Sequence, residues 1–128
     1  MNFKYILSIP FLFLVSLFSC NAQTGPALQP KEFSEKCYTE NTILLDVRTP
    51  EEYAEGHLKG ATLINYLDQK NFNDQITKLD KNKTVYVYCR SGGRSGYSQE
   101  IMLKQGFKSV INLDGGIDAW KKAGLPVE

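Results

Sequence analysis

The segment that most constrains this chain is Thr84-Val85-Tyr86-Val87-Tyr88, followed at once by Cys89-Arg90-Ser91-Gly92-Gly93-Arg94-Ser95. Alternating Val and Tyr suit the pleated surface of a strand. Two adjacent glycines then let the backbone turn sharply. Residues 95–104 carry a helical pattern that Gly106 ends. A strand that feeds directly into a helix points to a parallel neighbour, with the helix as the crossover.

The same alternation recurs along the chain. Residues 31–38 place Phe33 and Cys37 on one helical face. Residues 42–47 (Thr-Ile-Leu-Leu-Asp-Val) read as a strand, nearly continuous in apolar residues as a buried parallel strand should be. Thr49-Pro50-Glu51-Glu52 is a helix start, with Thr as N-cap, Pro at the first position and acids in the first turn. Gly56 stops that helix. A short strand at 61–64, a helix at 71–79, a strand at 110–113 and a helix at 116–123 follow. The expected fold class is α/β, a three-layer domain with a mainly parallel central sheet and helices on both faces. Ligands of such sheets collect at the carboxyl ends of the strands. Asp46 and Cys89 both fall there.

Charge excludes some functions. The 128 residues hold 15 Lys+Arg and 14 Asp+Glu, without the basic excess that phosphate-backbone binding demands, so no nucleic-acid partner is expected. Three Cys and one His with no CxxC spacing cannot make a four-ligand structural zinc site unless carboxylates help, and no metal site is expected. The length suits one domain, taken as a monomer.

Residues 1–19 stand apart. Lys4 is their only charge, and a mostly apolar run follows that is too short to span a bilayer. This is the pattern of a secretory signal peptide. Leu17-Phe18-Ser19-Cys20 resembles a bacterial lipobox, which implies cleavage before Cys20, acylation of that residue and a lipid-anchored protein of the cell envelope facing the periplasm. Cleavage after Cys20-Asn21-Ala22, releasing a soluble periplasmic protein, is the competing expectation. Residues 20–30, with Gly25, Pro26 and Pro30, read as a tether. The folded domain is then expected over 31–128.

The loop at 89–95 carries the chemistry. Curled glycine backbone lets N–H groups converge, the following helix contributes a partial positive charge, and Arg90 and Arg94 add two full charges. Each favours a thiolate at Cys89, which makes it a candidate nucleophile. A buried, inert thiol in a glycine turn is the plainer alternative. The phosphate-loop pattern is missing, because no Gly-Lys-Ser/Thr follows the glycines.

Four segments in order resemble the rhodanese-like sulfurtransferases. They are Asp46-Val47-Arg48 with Glu51-Glu52-Tyr53; Gly56-His57-Leu58-Lys59-Gly60-Ala61; the loop at 89–95; and Gly115-Gly116 with Trp120 and Ala123-Gly124-Leu125-Pro126-Val127. The resemblance implies that Cys89 takes a sulfane sulfur from a donor such as thiosulfate, becomes a persulfide, and passes the sulfur to a thiol or cyanide. It also implies that backbone N–H groups of Arg90, Ser91, Gly92, Gly93, Arg94 and Ser95 hold the sulfur, that Arg90 and Arg94 hold an anionic donor, and that no cofactor is needed. Two rivals stay open. One is a non-catalytic binding module on this fold. The other is a cysteine phosphatase, although those carry Cys-x5-Arg where this chain has Cys-x4-Arg.

Neighbouring residues have plainer roles. Asp46 is expected to accept loop N–H bonds or pair with an Arg rather than act as a base. Arg48 is expected to pair with Glu52 at i+4. His57 is expected to be buried and hydrogen-bonded, bracing a turn. Cys37 and Trp120 are expected in the core, with a resolving thiol for Cys89 as the sharper reading of Cys37. Glu100 and Lys104 form an exposed i,i+4 pair. Tyr97 either lines the pocket or faces solvent.

Overall fold

The computed structural model describes residues 25–128. The expected signal segment, Cys20 and the first part of the tether lie outside the described residues. In chain order the elements are β1 (Ala27–Leu28), α1 (Pro30–Lys36), β2 (Thr42–Asp46), α2 (Pro50–Ala54), β3 (Thr62–Leu63), α3 (Gln69–Ile76), β4 (Thr84–Tyr88), α4 (Gly93–Lys104), β5 (Ser109–Leu113) and α5 (Gly116–Lys122). The strands form one sheet in the order β1-β5-β4-β2-β3, and every pairing is parallel.

The Val/Tyr alternation of β4 divides the core in two, because successive side chains leave a strand on opposite faces. Val85, Val87 and the following Cys89 share one cluster with Phe72 and Ile76 of α3 and Met102 of α4. Tyr86 and Tyr88 share the other with Phe33 of α1 and Ile117 and Trp120 of α5. Helices therefore cover both faces, as the sequence pattern implied. Phe33 meets Tyr86 and Trp120 edge-on, at ring separations of 5.3 and 6.4 Å.

The edge differs from expectation. Ala27 and Leu28, read as part of a tether, pair with Asn112 and Leu113 of β5. Pro30 is already the first helical residue, so the fold starts before residue 31. A two-residue edge strand between prolines has too few positions to show period two. Helix α3 spans 69–76 rather than 71–79, because the Asp68 side chain caps it by accepting from the Asn71 N–H. Helix α4 starts at Gly93 rather than Ser95, which puts Arg94 on its first turn.

A buried polar network ties the carboxyl ends of β2 and β4 together. Asp46 is fully buried and accepts from Arg48 through Nε (3.0 Å), Nη2 (2.7 Å) and the backbone N–H (2.9 Å). Arg48 also donates to the Gly56 carbonyl at 2.7 Å. The Tyr88 hydroxyl donates to Asp46 at 2.7 Å and accepts from the Leu58 N–H at 3.1 Å. Arg48 therefore pairs with Asp46, not Glu52. In a strand-end turn the i,i+2 side chains face each other, whereas Arg48 precedes α2 and its i+4 spacing is not helical.

This network is a liability if half-removed, since a lone buried guanidinium has nothing to offset its lost hydration. Asp46→Asn should destabilise the fold by about 3 kcal/mol. Urea unfolding checks this, and the midpoint should fall without a change in slope.

Candidate active site

Cys89 is the residue after β4, and its side chain is 1% exposed. The chain around it is turned so that carbonyls face away from the sulfur and N–H groups face it. The Cys89 carbonyl accepts from the Ile117 N–H at 2.9 Å, and the Arg90 carbonyl accepts from the Asp118 N–H at 3.1 Å. Both donors belong to the first turn of α5, whose N–H groups need partners outside the helix. This contact is possible only because residue 116 is glycine. Its φ is +62°, and a Cβ there would sit 2.4 Å from the Arg90 oxygen.

With its carbonyls engaged, the loop points donors inward. The Gly92 N–H lies 3.1 Å from the Cys89 Sγ, and the Ser95 hydroxyl lies 3.3 Å from it. Gly92 caps α4 at φ +113°, a conformation that favours glycine. Its carbonyl accepts from the Asn112 side chain at 3.3 Å and from the Gly96 N–H at 3.0 Å.

Burial pushes the Cys89 thiol up. The Ser95 hydroxyl and the backbone N–H groups of Ser95, Gly92 and Ser91 outweigh it, leaving the thiol below its ordinary value. The cause is hydrogen bonding more than the guanidinium charges the sequence suggested. Arg90 has a side chain 71% exposed and lies 3.6 Å from Asp118. Arg94 makes a two-point pair with Glu52, Nη1 to Oε1 at 2.8 Å and Nη2 to Oε2 at 2.9 Å. Glu52 is itself fixed by the α2 cap, where the Thr49 hydroxyl accepts the Glu52 N–H at 3.2 Å. The Arg94 hydrogen bonds hold the Glu52 carboxyl down at about 2.

Other expected residues fall as follows. Asp46 pairs with Arg48 and accepts from Tyr88; none of its hydrogen-bond donors is a loop N–H. Ser91 and Gly93 are exposed. Cys37 is buried on the Tyr face, across the sheet from Cys89, so it is not positioned to resolve it; burial pushes its thiol up to about 12. His57 is half-buried rather than buried, stacked on Tyr53 at 3.8 Å with Nδ1 3.0 Å from the Tyr53 carbonyl. Trp120 is core, and Glu100 and Lys104 pair at 3.0 Å. Tyr97 faces solvent, stacked beside Tyr66. Among the described residues no three His, Cys, Asp or Glu side chains gather as metal ligands. Glu52, Asn112 and Gly116 are the site residues that pattern reading missed. The Thr49-x-x-Glu52 capping signature was the signal for Glu52, since it fixes where the carboxylate stands, and the Gly115-Gly116 pair of the closing segment was the signal for Gly116.

Two measurements follow from this geometry. Gly116→Ala should displace the Cys89–Arg90 backbone, seen as loss of the Ile117 and Asp118 amide protection from hydrogen exchange. A carboxylate held below its ordinary 4.5 stabilises the fold fully above that pH, and the contribution is lost as pH falls toward 2. Glu52→Gln should therefore flatten the acid side of the stability profile between those values.

The profile of the rhodanese-like domain family matches residues 29–123. A sulfurtransferase from Allochromatium vinosum is 38% identical over 89 residues, covering 70% of this chain and 80% of its own. The chloroplastic thiosulfate sulfurtransferase 16 of Arabidopsis thaliana is 39% identical over 66% of this chain and 78% of its own. A tRNA uridine(34) hydroxylase from Cytophaga hutchinsonii is 35% identical over 74% of this chain, but the match spans only 31% of that longer protein. A rhodanese-like domain protein from Staphylococcus aureus superposes with a TM-score of 0.67 at 29% identity, covering 80% of this chain and 98% of that one. The match runs from the N-cap of α1 through α5 and takes in the Cys89 loop together with the helix that clamps it: this chain belongs to the rhodanese-like domain family.

Proposed function

We propose that this protein is a sulfurtransferase that carries a sulfane sulfur on Cys89. The observation that carries the reading is a buried sulfur held by the Ser95 hydroxyl and the Gly92 N–H, with its thiol lowered despite desolvation. A thiolate in this position is a nucleophile, and the same donors suit the charged sulfur that replaces it. With thiosulfate, the Cys89 thiolate attacks the outer sulfur. The new S–S bond forms as the old one breaks, and sulfite leaves with the bonding pair. The persulfide then yields its outer sulfur to a thiolate or cyanide, and the Cys89 thiolate returns. Sulfurtransferase relatives support this class of reaction, and the Arabidopsis protein's name supports thiosulfate as donor. The Cys89-x4-Arg94 spacing, one residue shorter than the Cys-x5-Arg of cysteine phosphatases, favours sulfur over phosphoryl transfer.

The lipobox-like Leu17-Phe18-Ser19-Cys20 supports an envelope protein acylated at Cys20. Several acyl chains give stable anchoring where one is marginal. Among the described residues no helix is long and apolar enough to cross a membrane.

Incubation with thiosulfate and cyanide should produce thiocyanate, and Cys89→Ser should lower the rate by about 100-fold or more. Mass spectrometry of the thiosulfate-treated protein should show one added sulfur on the peptide containing Cys89. Phosphate-ester turnover without thiocyanate formation would contradict the reading. The same spectra of natively isolated protein should show an acylated chain beginning at Cys20.

A further inference from the structure

A site that binds thiosulfate gains from unpaired positive charge, and this one has almost none. Each arginine at the carboxyl edge of the sheet has its own acid: Arg48 with Asp46, Arg94 with Glu52 and Arg90 with Asp118. A cavity of about 210 Å³ beside the loop repeats the balance, with Arg48, Arg90 and Lys121 facing Glu52, Glu55 and Asp118. The three pairs are not equivalent. Asp46 and Arg48 are buried and structural, and the Arg90–Asp118 contact is long and exposed. The Arg94–Glu52 pair is half-buried and has two-point geometry. Arg94 stands directly before Ser95, whose hydroxyl lies 3.3 Å from the Cys89 Sγ. The Glu52 hydrogen bonds push the guanidinium further up from its ordinary value, and the Cys89 sulfur adds to that.

Glu52 is not free to leave. The Thr49 hydroxyl accepts from the Glu52 backbone N–H and lies 3.2 Å from its Oε1, so the α2 cap fixes both ends of the residue. A carboxylate built into a helix cap thus neutralises the one cation on the first turn of α4, next to the serine that contacts Cys89.

We propose that Glu52 is a specificity-determining residue: by holding Arg94 it withholds a full positive charge from the Cys89 cradle, and so favours sulfane sulfur donors with one negative charge over those with two. This rests on the sulfur-transfer reading and deepens it. The two donor types react alike. Thiosulfate, a dianion, releases sulfite; methanethiosulfonate, a monoanion, releases methanesulfinate; each leaves the same persulfide on Cys89. They differ in charge, so a change in the field at the site changes their ratio, whereas a loss of structure lowers both.

The experiment measures kcat/KM for both donors in the wild type, Glu52→Gln, Arg94→Gln and the double variant, with the pH profile of iodoacetamide alkylation of Cys89 alongside. In Glu52→Gln the thiosulfate-to-methanethiosulfonate ratio should rise about threefold or more, and alkylation should shift to lower pH. Arg94→Gln leaves the Glu52 charge unopposed, so the ratio should fall and alkylation should shift to higher pH. The double variant should return near the wild type, as expected if the two residues act as one unit. Equal changes for both donors in Glu52→Gln, or an unchanged ratio, would overturn the proposal. If neither donor sulfurates the wild type, the transfer reading fails. In that case an unmoved alkylation profile in Glu52→Gln rejects the role of Glu52 independently.

Discussion

A sulfur atom removed from water resists ionisation, and this structure sets hydrogen-bond donors against that resistance at one point. Desolvation is the largest single effect on Cys89, and it opposes reactivity. The opposing groups are one hydroxyl and the amides of a turn, each modest alone. They succeed together because they are oriented before any charge develops, so little reorganisation is needed when a substrate arrives. A mobile guanidinium would have been a poorer device here, since its charge is screened and it can pair elsewhere, as both loop arginines do.

The fold exists around that turn in a specific sense. Donors can face the sulfur only if the loop carbonyls are satisfied on the other side. The first turn of α5 satisfies them, at a separation that only glycine at 116 permits. Helix α5 lies against the Tyr face of the sheet and α4 against the Val face. The loop therefore bridges the two layers across the end of β4. The Asp46, Arg48 and Tyr88 network locks the strand ends beneath it and brings the Gly56–Leu58 turn into place. Rigidity in the scaffold becomes orientation at the site.

The sequence was most legible where a local rule had a single outcome. The Val/Tyr repeat of β4 assigned the strand. Thr49-Pro50 fixed the start of α2, and the glycine pair fixed the loop. It was least legible where several partners were equally near along the chain. Arg48 and Glu52 have helical spacing, yet Arg48 precedes the helix, so each carboxylate found a different guanidinium. The arginines of the loop looked like substrate ligands because a sequence shows charge but not what neutralises it. Arg94's partner is 42 residues away, on another helix. Ala27 and Leu28 gave no signal at all, because their strand character comes from the edge of β5 rather than from their own pattern.

The reading of the site rests on the cradle holding the Cys89 thiol below its ordinary value despite burial. Ultraviolet absorbance of the thiolate against pH, recorded as the difference between the wild type and Cys89→Ser, tests it directly. Cys37, pushed up to about 12, adds nothing near neutrality. The account predicts a difference signal that titrates with a midpoint below the ordinary thiol value. A midpoint at or above that value would show that burial dominates, and that the cradle does not hold a charged sulfur.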